Sequence, residues 1–211
     1  MPKSLLPIPC TLALVFLLAG CGDPSGDAGG RITVAVSVPP HAWLVERLGG
    51  DRLDVVTLVG PGESPATYQP SERQVSRILR ARVYFRTGVP FERGKWLELA
   101  KDAGAIRIVD LRADIELRHL KHHHHEGREC HGEDPHVWLS PRLLEVQART
   151  TASALAAADP DHAEIYQKNL ADLESELRTL HAELEEILRP VTRRRLYVFH
   201  PAWGYFCDAY G

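Results

Sequence analysis

Between Arg31 and Val109, short runs rich in β-branched residues alternate with amphipathic stretches, and this alternation restricts the fold more than any other feature of the chain. The apolar patterning predicts strands over 32–36, 53–59, 83–85 and 106–109, and helices over 40–48, 71–79 and 91–103. Pro40 stands near the start of the first helix, and Gly60-Pro61-Gly62 closes the second strand. Strands that alternate with helices build a parallel sheet with helices on both faces. In such an α/β fold, ligands gather at the carboxyl ends of the strands. Neither GxGxxG nor GxxxxGK[ST] occurs, so nothing supports a nucleotide site.

A helix is predicted over 141–158. A longer one over 161–189 carries Tyr166, Leu170, Leu173, Leu177, Leu180, Leu184 and Ile187 at steps of three and four, and Pro190 ends it. A coiled-coil dimer is the rival reading of that stripe. The stripe is short and flanked by globular sequence, which favours a rigid spine between two lobes. A further strand is expected from Arg194 to Phe199. The few residues after it cannot bury a core of their own, so 191–211 reads as the start of an incomplete second lobe.

The amino terminus reads as an address. Lys3 precedes a compact apolar run, Thr11 to Leu18, too short to span a bilayer comfortably. Leu18-Ala19-Gly20-Cys21 then matches the bacterial lipobox, in which the cysteine becomes the lipidated first residue. Residues 1–20 are thus a lipoprotein signal peptide, and the Gly-, Asp- and Ser-rich segment 21–30 is a flexible tether. The expected location is the periplasm or cell surface, with Cys21 as the membrane contact. Cys130 and Cys207 are free to bridge in an oxidising compartment, or Cys130 to bind metal.

Lys and Arg together number 25 against 28 Asp and Glu, so no basic surplus exists to neutralise phosphates, and nucleic-acid binding is not expected. Histidine is the unusual residue. Of 11, seven lie between His119 and His136. Imidazole is a strong neutral metal ligand near neutral pH. His122, His123, His124, His125 and His131, with His119, occupy a polar loop over 119–133 suited to loose metal capture. His136 differs, because in Asp134-Pro135-His136-Val137-Trp138-Leu139-Ser140-Pro141 a proline and an apolar pair fix the backbone beside it. Ser140 and Pro141 then read as N-cap and first residue of a helix. His200, in Val198-Phe199-His200-Pro201-Ala202-Trp203-Gly204-Tyr205-Phe206, follows the expected strand.

DPHVWLSP and VFHPAWGYF, with a histidine-rich loop before the first, resemble the zinc and manganese class of ABC-transporter solute-binding proteins (ZnuA-like, TroA-like). The segment GPGESPATYQPSERQ is also similar to that family's N-terminal lobe. The resemblance implies two Rossmann-like α/β lobes joined by one long rigid helix. They would be divided here into an N-terminal lobe 31–158, a linking helix 159–190 and an incomplete C-terminal lobe 191–211. It places one metal ion in the interlobe cleft, with His136 and His200 on two ligand positions and Asp134 and Ser140 on motif positions that are not ligands. The family's histidine after the proline of Ser64-Pro65 is Ala66 here, and its acidic fourth ligand would lie beyond Gly211. His41, at the first strand–helix junction, is the candidate replacement for the third imidazole.

The resulting expectation is a monomeric, lipid-anchored protein that captures Zn(II) and delivers it to an ABC-transporter membrane permease. Imidazole-rich donor sets suit tetrahedral zinc, whereas manganese sites are richer in oxygen. A manganese-binding relative and a zinc-dependent adhesin of the same fold are the alternatives. An extracellular zinc hydrolase would need a well-held general base, and neither HExxH nor GxSxG is present. Glu126 and Glu133 are acids of the loop, so no enzyme is expected.

Overall fold

The computed structural model describes residues 30–102, 104, 106–123 and 129–211, with backbone alone for 120–123 and 129–131. The signal peptide, the tether to residue 29, Cys21, His124 and His125 therefore lie outside the described residues. So do the side chains of His122, His123, Cys130 and His131.

Four parallel strands form the central sheet: β1 (Ile32–Val36), β2 (Leu53–Thr57), β3 (Val83–Arg86) and β4 (Arg107–Asp110), in the order β2-β1-β3-β4. The inner strands β1 and β3 pair Val34 with Val83 and Val36 with Phe85. Side chains alternate across a strand, so each strand feeds two cores. Val34, Val36, Val83 and Phe85 face one helical layer, formed by α1 (Pro39–Gly49), α4 (Pro141–Ala158) and α5 (Ala163–Leu188). Ala35 and Tyr84 face the other, formed by α2 (Glu72–Ile78) and α3 (Lys95–Asp102). The helices lie on both faces, as the alternation predicts.

Local signals explain most boundaries. Ser71 caps α2 in a reciprocal box, its hydroxyl accepting from the Gln74 amide and the Gln74 side chain accepting from the Ser71 amide. The helix predicted over 91–103 is instead a 3-10 turn, Pro90–Arg93, followed by α3, because Trp96 donates to the Phe91 carbonyl across Gly94 at 3.0 Å. Pro141 starts α4 as expected, but the Ser140 side chain makes no capping hydrogen bond.

Helix α5 has 26 residues, about 39 Å at the helical rise. Tyr166, Leu173 and Leu177 are buried on its stripe and pack in the same core as Leu44, Leu48 and Leu155. The spine thus lies along α1 and α4 as part of one layer. Asn169 donates to the Leu48 carbonyl at 2.8 Å, and Tyr166 donates to Asp159 at 2.6 Å, which fixes its register.

Two expectations fail. The backbone of 119–133, read as a loop, forms an antiparallel hairpin of β5 (His119–His123) and β6 (Glu129–Glu133) in the described residues, with His122 opposite Cys130. Antiparallel strands can be joined by a short connection, so a partner close in sequence is available for pairing. The strand expected over 194–199 is not a strand. Leu196, Tyr197, Val198 and Phe199 are exposed and pair with no strand among the described residues, and a short helix, α6 (Gly204–Tyr210), follows.

Leu173→Ala should lower stability by about 2–4 kcal/mol, the cost of a buried leucine cavity, as read from the urea midpoint at unchanged slope.

Candidate metal centre

His136 and His200 meet. Their Nε2 atoms stand 3.0 Å apart with the rings nearly perpendicular, although 64 residues separate them in the chain. The segment before α4 sets the first ring. Asp134 is fully buried, and its Oδ1 accepts from the His136 backbone amide at 3.0 Å and pairs with His136 Nδ1 at 2.7 Å. A carboxylate accepts, so Nδ1 carries the proton, and the lone pair is left on Nε2, facing His200. This is the carboxylate–histidine arrangement that orients metal-binding imidazoles. Trp138 packs edge-on against the same ring at 5.3 Å.

His41 follows a different path. It begins α1 just after β1, and its Nδ1 bonds the Thr87 hydroxyl just after β3 at 2.8 Å. Strand order reverses between β1 and β3, so this bond bridges the crevice where such sheets place ligands. Yet the ring is fully buried, packs edge-on against Trp138 and leaves Nε2 enclosed and unpartnered. The Gln147 side chain, buried on α4, stands near enough to act on this imidazole but makes no hydrogen bond of normal geometry. Among the described residues no group of three His, Cys, Asp or Glu is arranged to hold a metal. His41 is thus placed in the core against Thr87, and the facing pair is made by His136 and His200. Ala66 is exposed and lines a cavity of about 500 Å³ with Tyr68, Phe91 and Trp96, contributing no donor atom.

Charged groups brace this end of the sheet. Glu92 is buried and accepts from the Ser37 hydroxyl, the Thr87 amide at 2.8 Å and the Gly88 amide at 2.6 Å. Arg112 donates to both oxygens of Asp110 and to Glu133 at 2.9 Å, tying β6 to the sheet. Burial works to raise the Asp110 carboxyl pKa, but the Arg112 hydrogen bonds and charge, with Arg86, hold it below the usual carboxylate range. Gly88 lies under the guanidinium at φ +89°, where a Cβ would fall 2.0 Å from Arg112 Cζ. Cys207 is a free, exposed thiol.

A family profile described as ZnuA, zinc-uptake complex component A, periplasmic, matches residues 34–211. The chain belongs to this family. A putative metal-binding protein of Chlamydia muridarum is 33% identical over 181 residues, covering 84% of the chain and 62% of that relative's length. The manganese ABC transporter substrate-binding lipoprotein PsaA of Streptococcus anginosus is 27% identical, with 95% of the chain and 68% of that protein covered. Among solved structures, a zinc-bound ZnuA deletion mutant superposes with a TM-score of 0.74 at 37% identity, covering 85% of the chain and 67% of its own. The chain thus spans about two thirds of the length of these ZnuA-family relatives, in which zinc and manganese binders are both represented.

Both halves of the facing pair are legible in the sequence of this ZnuA-family chain, whereas the part played by Asp134 is not. The Asp-Pro-His spacing, which lets a carboxylate fold back on the imidazole two residues on, was the available signal. Glu92 and Gln147 carried no such signal, since each is placed by residues distant in the chain.

Burial lowers the His41 pKa from 6.5 to about 4, against the opposing pull of the Gln147 amide and the Asp110 charge. The unfolded chain then binds the extra proton between pH 6.5 and 4, so stability falls as pH drops through that window. The loss is on the order of 3 kcal/mol. His41→Asn should flatten this dependence in urea titrations at successive pH values.

Proposed function

We propose that this protein captures Zn(II) outside the cytoplasm and delivers it to an ABC-transporter membrane permease, with His136 and His200 as metal ligands. The observation that carries the reading is the facing of two Nε2 atoms, one of them set by a buried carboxylate. Two nitrogens at about 2.0–2.1 Å from a tetrahedral ion stand roughly 3.3 Å apart. The observed 3.0 Å needs only a slight opening to admit the ion. Two imidazoles leave further positions to water or other donors. Nitrogen donors favour zinc over manganese, whose sites are richer in oxygen.

Support for transport rather than catalysis comes from family membership and from the relatives named as transporter substrate-binding lipoproteins. Among the described residues no helix is long and apolar enough to cross a membrane. The proposed anchor is lipid at Cys21 of the lipobox, with the protein acting as a monomer. The β5–β6 hairpin, which carries His119, His122, His123 and His131, would concentrate metal near the pair, since Asp134 directly continues β6.

His136→Ala and His200→Ala should each lower zinc affinity at least tenfold in chelator competition, and Asp134→Asn by about 10–100-fold. His41→Asn should leave the metal stoichiometry unchanged. Unaltered zinc binding in the double variant of His136 and His200 rules the site out. Titration with manganese in the same format separates the two metals.

A further inference from the structure

We propose that Tyr205 is a positioning residue that sets the His136 imidazole by inserting its hydroxyl into the root of the histidine-rich hairpin. The inference rests on the reading of His136 and His200 as metal ligands and names a residue that governs their geometry.

Arg118 and Asp134 extend the β5–β6 register one step past the last pair, His119 and Glu133. The Asp134 amide donates to the Arg118 carbonyl at 2.8 Å, which makes this a hydrogen-bonded antiparallel pair. Such a pair exchanges two bonds. Here the second is interrupted. The Arg118 amide donates to the Tyr205 hydroxyl at 3.0 Å, and that hydroxyl donates onward to the Asp134 carbonyl at 3.0 Å. The phenol stands between the two strands at their root and holds them apart.

Three features make this a device rather than a filled gap. Tyr205 is 3% exposed, and its ring packs with Ile115 and Val137, so the hydroxyl has one place to be. It comes from the first turn of α6, the element that follows His200, so it links the segments bearing both imidazoles. Its neighbour Gly204 lies so close to Asp134 that a Cβ would fall 2.9 Å from Oδ2 and 2.6 Å from Arg118 Nε. Arg118 also pairs with Asp208 on the same helix. Asp134 is therefore fixed through its backbone by Tyr205, and its carboxylate in turn fixes His136. Without the hydroxyl, the Arg118 amide and the Asp134 carbonyl close directly into an ordinary ladder. That closure shifts the Asp134 backbone, which carries the carboxylate paired with His136 Nδ1.

The test compares the full chain with Tyr205→Phe, which keeps the ring, and with Ile115→Val, which trims the same apolar cluster and touches no hydroxyl. In metal-free protein, ¹⁵N spectra of the His136 ring should show Nδ1 protonated in the parent chain and a mixed tautomer in Tyr205→Phe. Zinc affinity should fall about 10–100-fold in Tyr205→Phe and stay at the parent value in Ile115→Val. Unchanged His136 signals, or equal losses of affinity in both variants, overturn the inference. Should Tyr205→Phe fail to fold, the parent chain decides: a slowly exchanging Tyr205 hydroxyl proton close to the Arg118 amide supports the insertion, and its absence overturns it. A parent chain that binds neither zinc nor manganese while Tyr205→Phe still moves the His136 signals refutes the proposed function and leaves the positioning role standing.

Discussion

Asp134 is a buried carboxylate that accepts two hydrogen bonds from a single residue, the backbone amide and the imidazole of His136. Burying a carboxylate is costly, and these two bonds to Oδ1 offset part of that cost. It also decides which imidazole nitrogen faces His200. The site's chemistry follows: a fixed tautomer, an outward lone pair, and a second imidazole at hydrogen-bonding distance. Asp134 keeps one oxygen, Oδ2, without a partner against the backbone of Gly204, so the segment holding His136 and the segment after His200 are in close contact.

The sheet supplies a platform under this arrangement. Its carboxyl edge is crowded with polar groups that satisfy one another, from Ser37 and Glu92 through Thr87 to His41. His41 has one nitrogen engaged by Thr87 and the other enclosed in the core. Trp138 stands against both His41 and His136, an apolar plate shared by a structural imidazole and a candidate ligand. The same histidine chemistry thus serves two ends, and burial separates them.

How far the fold was legible varies by element. The strand at Ile32–Val36 and the helix at Pro141–Ala158 stood in the sequence with their observed limits, because apolar periodicity and a starting proline act locally. The break at Gly94 was hidden, since a Trp96 side chain bonding back to a carbonyl leaves no periodic trace. The segment 194–199 has strand composition, but a strand exists only beside another strand, and none is present among its described neighbours. In the hairpin the reverse holds: poor strand composition, yet a partner close in sequence.

His136 and His200 were each recognisable from the rigid residues around them, and the ZnuA-family membership follows from the same motifs. Sequence alone therefore determined the layered α/β class, the long amphipathic helix and the identity of the two facing imidazoles, because these depend on periodicity and on residues within a few positions. Only tertiary structure decided that the two rings meet, that His41 turns inward, and that Asp134 and Tyr205 stand behind His136. Those outcomes depend on which distant backbone and side-chain groups compete for each buried donor and acceptor, and that competition is settled only when the layers pack.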